Sequence, residues 1–94
     1  MIKSFKCKYT KQLFDGKNQK KFSLALNNVG KRKLDMLEAS FDESDLRVQP
    51  SNRFEHFQGG LKGFCSIRIN EQFRLIFRFE NSNAYDVYID DYHK

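Results

Sequence analysis

Cys65-Ser66-Ile67-Arg68-Ile69-Asn70-Glu71-Gln72-Phe73-Arg74-Leu75-Ile76-Phe77-Arg78-Phe79 is the stretch whose reading decides the fold. Cys65, Ile67 and Ile69 alternate with Ser66, Arg68 and Asn70; Phe73, Leu75, Phe77 and Phe79 alternate with Arg74, Ile76 and Arg78. A period of two marks a strand with one buried face, and the polar Asn70-Glu71-Gln72 between the runs makes a turn. After Asn81-Ser82-Asn83 the pattern resumes, with Tyr85, Val87 and Ile89 against Asp86, Tyr88 and Asp90. Short turns between such runs give an antiparallel meander. Successive side chains point to opposite faces. If the apolar set faces the core, Arg68, Arg74 and Arg78 share the other face, with Tyr88 beside them. Guanidinium groups next to an aromatic ring suit a phosphate backbone and a stacked base. They equally suit an ordinary solvated sheet face.

Upstream, the period changes. Phe22, Leu26, Val29, Leu34, Leu37 and Phe41 recur at helical spacing, which predicts a helix over most of Phe22 to Ala39. Gly30 costs that helix about 1 kcal/mol relative to Ala and is a point where it can split. Tyr9 to Phe14 reads as a helical turn ended by Asp15-Gly16, and Glu43 to Leu46 as another, capped by Asp42. Ile2 to Cys7 alternates like a short strand. The single proline, Pro50, falls where helices give way to strands. The fold class is therefore α+β, a twisted antiparallel sheet with N-terminal helices packed on one face.

The chain of 94 residues is one domain, 1–94, and buries about 65% of its unfolded surface. That suffices for one helical layer on one sheet and leaves little for a deep enclosed pocket. With 39% hydrophobic residues, including ten Phe, disorder is excluded. No apolar run reaches the length of a membrane span, and no export segment is read at Met1-Ile2-Lys3-Ser4-Phe5-Lys6, so a cytoplasmic protein with no membrane contact is expected. Cys7 and Cys65 form neither a zinc spacing nor a redox pair. Both read as reduced side chains in strands, and no metal or cofactor is expected.

The net charge of +5 is unevenly spread. From Met1 to Lys33 ten Lys/Arg face one acid, a net of +9; Leu34 to Arg47 carries −4; the remainder balances. A basic N-terminal third points to a polyanionic partner, or to a solvated face that meets an acidic protein.

Four blocks then carry a resemblance. They are Met1-Ile2-Lys3-Ser4-Phe5, the run Gly59-Gly60-Leu61-Lys62-Gly63-Phe64 leading into Cys65 to Asn70, the phrase Gln72 to Phe79, and the ending Tyr85-Asp86-Val87-Tyr88-Ile89-Asp90-Asp91-Tyr92-His93. In order and spacing they resemble HigB toxins, also called plasmid-maintenance killer proteins, of the RelE/ParE superfamily. The resemblance implies a RelE-like fold and a toxin of a type II toxin-antitoxin system. It implies an endoribonuclease, or mRNA interferase, that cleaves translated mRNA in the ribosomal A site without a metal. It also implies a helix-turn-helix antitoxin as partner, with operator DNA contacted only through that antitoxin. ParE-like toxins share the fold but act on gyrase, and a relative that has lost catalysis and only binds RNA or antitoxin is a third reading.

Carried over residue by residue, Arg74 matches the family's strand arginine, and Asp91, Tyr92 and His93 match its C-terminal triplet. Arg68 is shared by some relatives. Glu55 is a departure, because well-known members carry a histidine there. The neighbouring His56 is one residue off and in a strand points to the other face. Either Glu55 takes the part of that histidine or the chemistry leans on His93.

Metal-free ribonucleases let the 2′-hydroxyl attack the adjacent phosphorus while the 5′-oxygen leaves. The protein supplies positioning, a base, an acid and positive charge for the phosphorane oxygens. Arg74 is assigned to that charge, with Arg68 as support; the alternative for Arg74 is an ion pair with Glu80 or Asp86. His93 is the candidate acid or base, since imidazole titrates near working pH. Tyr92 stacks on a base or orients the phosphate, or else packs in the core. Asp91 orients His93 or Arg74, or is merely solvated. Glu55 accepts the 2′-hydroxyl proton, or pairs with Arg53 or Arg74. Asn52, Arg53, Arg78 and Tyr88 are assigned to RNA contact. Lys17, Lys20, Lys21, Lys31, Arg32 and Lys33 form a basic surface for ribosomal RNA, or simply a solvated helix face.

Overall fold

The computed structural model describes residues 1–57 and 63–91. Helix α1 spans Lys8–Phe14, α2 Leu24–Ala39 and α3 Glu43–Arg47. A single 3₁₀ turn at Pro50–Asn52 leads to four strands, β1 Glu55–His56, β2 Phe64–Arg68, β3 Phe73–Glu80 and β4 Asn83–Asp91. The strands form one antiparallel sheet in the order β1-β2-β3-β4. Meander and helical layer are as the periodicity predicts.

Local chemistry accounts for the boundaries. The Ser23 hydroxyl accepts the Leu26 N–H at 3.0 Å, so α2 starts one residue later and Phe22 lies outside it. Asp42 caps α3, and Asp45 closes a reciprocal capping box. The side chain of Asn70 accepts the N–H groups of Gln72 and Phe73 at 2.8 and 2.7 Å, which fixes the β2–β3 turn. Asn81 and Ser82 both have positive φ, the conformation whose twist suits a two-residue hairpin.

Leu26, Leu34 and Leu37 of α2, Leu13 of α1 and Leu46 of α3 pack on Ile67, Leu75, Phe77 and Val87 of the sheet. Each such side chain contributes about 1.5–3 kcal/mol by leaving water. Gly30 does not split α2. It is buried, and a Cβ built there lies 3.1 Å from Leu13 Cδ2 and 3.6 Å from Ile89 Cδ1, so glycine lets the helix approach α1 and β4.

Three sequence expectations are corrected. Phe41, counted with the helical stripe, lies past the end of α2 and is 72% exposed. Ile2 to Cys7 is no strand. It meets β4 through two isolated parallel bridges, Ile2 to Ala84 and Phe5 to Val87, and Cys7 is the N-cap of α1. Period two also fails in β4. A bulge with Asp86 at φ +54 puts Tyr85 opposite Arg78, on the arginine face, whereas Tyr88 pairs with Ile76 as expected.

Candidate active site

Directly opposed residues share a face, so the register maps the site. Arg68 faces Arg74 across β2 and β3, and Arg74 faces Asp90 across β3 and β4. Ser66 faces Ile76 on one side and Glu55 on the other. Glu55, Ser66, Arg68, Arg74, Ile76, Tyr88 and Asp90 thus lie on the sheet face away from the helical core. Its centre is closed rather than solvated, with Ser66, Arg74 and Ile76 buried.

Arg74 is 6% exposed. Its Nε donates to Ser66 Oγ at 2.7 Å and its Nη2 to the carbonyl of Arg53 at 2.6 Å. Arg53 presents that carbonyl from a left-handed conformation, φ +44, immediately after the 3₁₀ turn. Backbone strain outside glycine is affordable here because the turn hydrogen bond from Arg53 N–H to Pro50 O holds it at 3.1 Å. The guanidinium is therefore fixed before any ligand arrives.

Arg78 has different company. Its Nε donates to Asp86 at 3.1 Å and its Nη1 to Glu80 at 3.0 Å, and it lies over the Tyr85 ring. The ion pair considered for Arg74 belongs to Arg78, roughly 13 Å further along β3. Arg78, expected as an RNA contact, is thus engaged by two acids and partly exposed.

Glu55 is exposed on edge strand β1, across from the serine that anchors Arg74. His56 opposes Cys65, on the helix side, and contacts Glu43 of α3. Burial, with Glu43 nearby, pushes the Cys65 thiol up to about 12. Asp91 opposes Phe73 and accepts from Gln72 Nε2 at 2.8 Å. The acid opposite Arg74 in the sheet is Asp90, which the sequence reading placed in the strand without giving it a role. Tyr92 and His93 lie outside the described residues.

The basic surface is not one surface. Lys17, Lys20 and Lys21 are exposed between α1 and α2, with Lys21 over the Tyr9 ring. Successive positions on α2 point roughly 100° apart. Lys31 pairs with Asp35 at 2.6 Å, Arg32 is exposed, and Lys33 is 4% exposed with its amine on Asn52 Oδ1. Asn52 is 0% exposed and its amide donates to Leu46 O at 2.9 Å. Lys33, expected as a docking lysine, and Asn52, expected as an RNA contact, are both buried and hold each other. Together they tie α2, α3 and the 3₁₀ turn that presents the Arg53 carbonyl. Burial first, and Arg32 second, hold the Lys33 ammonium below the ordinary lysine range.

Among the described residues no cluster of His, Cys, Asp and Glu could hold a metal ion, and no helix is long and apolar enough to cross a membrane.

Comparison with known proteins places this geometry. Residues 3–93 match the family described as the RelE-like toxin of the type II toxin-antitoxin system HigB. The Toxin HigB-1 of Vibrio cholerae is 45% identical over 91 residues, covering 96% of either chain. An uncharacterized protein of Haemophilus influenzae is 39% identical over 75 residues, 80% of this chain and 74% of that one. The crystal structure of YafQ from E. coli superposes with a TM-score of 0.66 at 12% identity, covering 98% of this chain and 92% of that one. A chain of the YoeB-YefM complex from Staphylococcus aureus gives 0.56 at 15% identity, covering 100% and 97%. The two structures speak for the fold alone. The family match and the Vibrio relative speak for descent, and the chain belongs to the HigB-like family of RelE-like toxins of type II toxin-antitoxin systems.

Proposed function

We propose that this toxin is an endoribonuclease that cleaves translated messenger in the ribosomal A site by metal-independent attack of the 2′-hydroxyl. The observation that carries the reading is Arg74, a buried guanidinium held by Ser66 Oγ and the Arg53 carbonyl. A cation fixed in advance stabilises charge that develops on a phosphorane at no cost of reorganisation. Arg68, its cross-strand neighbour, adds charge beside it. Glu55 and His93 are the two groups for proton transfer. One takes the 2′-hydroxyl proton as the oxygen bonds to phosphorus. The other gives a proton to the departing 5′-oxygen, leaving a cyclic phosphate and a free 5′-hydroxyl. DNA lacks the nucleophile and is not a substrate. Asp90 or Asp91 orients these partners, and Tyr92 stacks on a base or orients the phosphate. Lys17, Lys20 and Lys21 meet ribosomal RNA. A helix-turn-helix antitoxin neutralises the toxin and carries it to operator DNA, and the protein works in the cytoplasm.

The test is to induce the protein in cells, map messenger 5′ ends and assay gyrase in parallel. The reading expects cuts in frame within translated codons, with gyrase unaffected. Gyrase inhibition with intact messengers would replace it with the ParE-like activity, and neither effect would leave a binder without catalysis.

A further inference from the structure

A cleft of about 540 Å³ opens between α2, the 3₁₀ turn and the end of β2, next to Arg74 rather than on it. Arg32, Lys33, Arg53 and Arg68 line it, Ser51 adds a hydroxyl, and no acid among the described residues faces it. Cations gathered without a counter-charge repel one another, and a fold that holds them together is poised for an anion. The three arginines come from three separate elements. Buried Lys33, at 4% exposure, forms part of the wall behind them. Arg68 links the two places, because it lines the cleft and directly opposes Arg74 in the sheet.

We propose that this cleft is a second phosphate site, which holds a backbone phosphate of the message strand near the one that is cleaved. The proposal rests on the ribonuclease reading and deepens it. Continuity through Arg68 favours the message strand over a separate acidic peptide. A strand running from Arg74 past Arg68 enters the cleft without leaving the cationic surface. Planar guanidinium forks suit phosphate oxygens better than isolated ammonium groups would. Binding there fixes the strand on both sides of Arg68, so that the scissile phosphate meets Arg74 in one orientation.

The experiment has two arms and uses the Arg32→Gln/Arg53→Asn double variant. Asparagine tolerates the left-handed backbone at position 53 and keeps the carbonyl that holds Arg74. In the first arm, inorganic tripolyphosphate raises the melting temperature of the wild-type protein, and the double variant loses most of that rise. In the second, toxin binding is measured on ribosomes programmed with messages that carry one uncharged methylphosphonate at successive positions. Wild type loses affinity roughly 10-fold at one position beside the cleavage site, the size of a charge-assisted hydrogen bond. The double variant binds more weakly and is indifferent to that substitution. No tripolyphosphate response overturns the site. A tripolyphosphate response without any sensitive message position makes it a site for a free anion and overturns the strand assignment. Weakened binding of the double variant without coupling to the message assigns the arginines to ribosomal RNA, and unchanged ribosome binding by the double variant removes them from the message path; both overturn the proposal. If wild type binds with a sensitive position but does not cut, the ribonuclease reading fails while the phosphate site stands.

Discussion

Arg74 and Arg78 occupy equivalent positions in an alternating strand, and the alternation gives no ground for separating them; in the sequence only the family resemblance does. Their partners do so too. Arg78 holds Asp86 and Glu80, while Arg74 is buried on Ser66 and the Arg53 carbonyl. Arg78→Ala removes a partly exposed ion pair and should lower stability in urea unfolding only slightly, with toxicity retained. A loss of toxicity with intact fold would return Arg78 to the site. Lys33 shows the same limit of the sequence, since a basic triplet on a helix does not reveal which member turns inward. Its partner Asn52 is reached 19 residues later. A lysine whose folded pKa is depressed contributes stability above its unfolded value, about 10.4, and loses it as pH falls through the folded value. Wild type should therefore gain stability relative to Lys33→Met as pH rises from neutral toward that value. The raised thiol of Cys65 acts in the opposite sense, losing stability at alkaline pH, and cancels in the difference. Chemical denaturation across that range checks the slope, and a flat difference would mean that the charge is not desolvated. Cys65 itself should resist alkylation in the native protein and react only on unfolding, whereas half-buried Cys7 should label first.

At the scale of elements, α2, β2 and β3 were legible because each keeps its period. The boundaries that differ have local causes. Ser23 sets the start of α2, and the bulge at Asp86 reverses Tyr85. Pairing register was not legible, and register is what sets Glu55 opposite Ser66 and brings Asp90 rather than Asp91 beside Arg74. The parallel bridges from Ile2 and Phe5 to β4 were hidden for the same reason, because their partners are some eighty residues away. Gly30 is the element-level test. Its sequence reading is a weak point in a helix, and its place in the fold is a close approach to Leu13 and Ile89. Gly30→Val should destabilise the protein by about 1–3 kcal/mol through overpacking, despite adding a side chain to a helical glycine. A stabilised variant in urea unfolding would show that α1 and β4 can give way.

For the molecule as a whole, family and fold were legible from ordered motifs, while the site came only in part. The carried-over Arg74 sits on a preorganised scaffold, and the residues that build that scaffold, Ser66, Asn52 and the Arg53 carbonyl, carry no motif. A sheet face and a short cleft do not enclose a nucleotide from all sides, so the proposed cleavage calls on the ribosome for the rest of the positioning. Free RNA should be cut very poorly and programmed ribosomes well, and equal rates on both would refute dependence on the ribosome. The central claim is that Arg74 stabilises the transition state from a fixed position. Single-turnover cleavage on saturating programmed ribosomes tests it most directly, comparing wild type with Arg74→Ala after circular dichroism has established that the variant is folded. The account predicts a rate lower by about 10²–10³, equivalent to roughly 3–4 kcal/mol, with Arg74→Lys restoring only part of it. A folded Arg74→Ala that cuts at the wild-type rate would contradict the account and remove the active site from this face of the sheet.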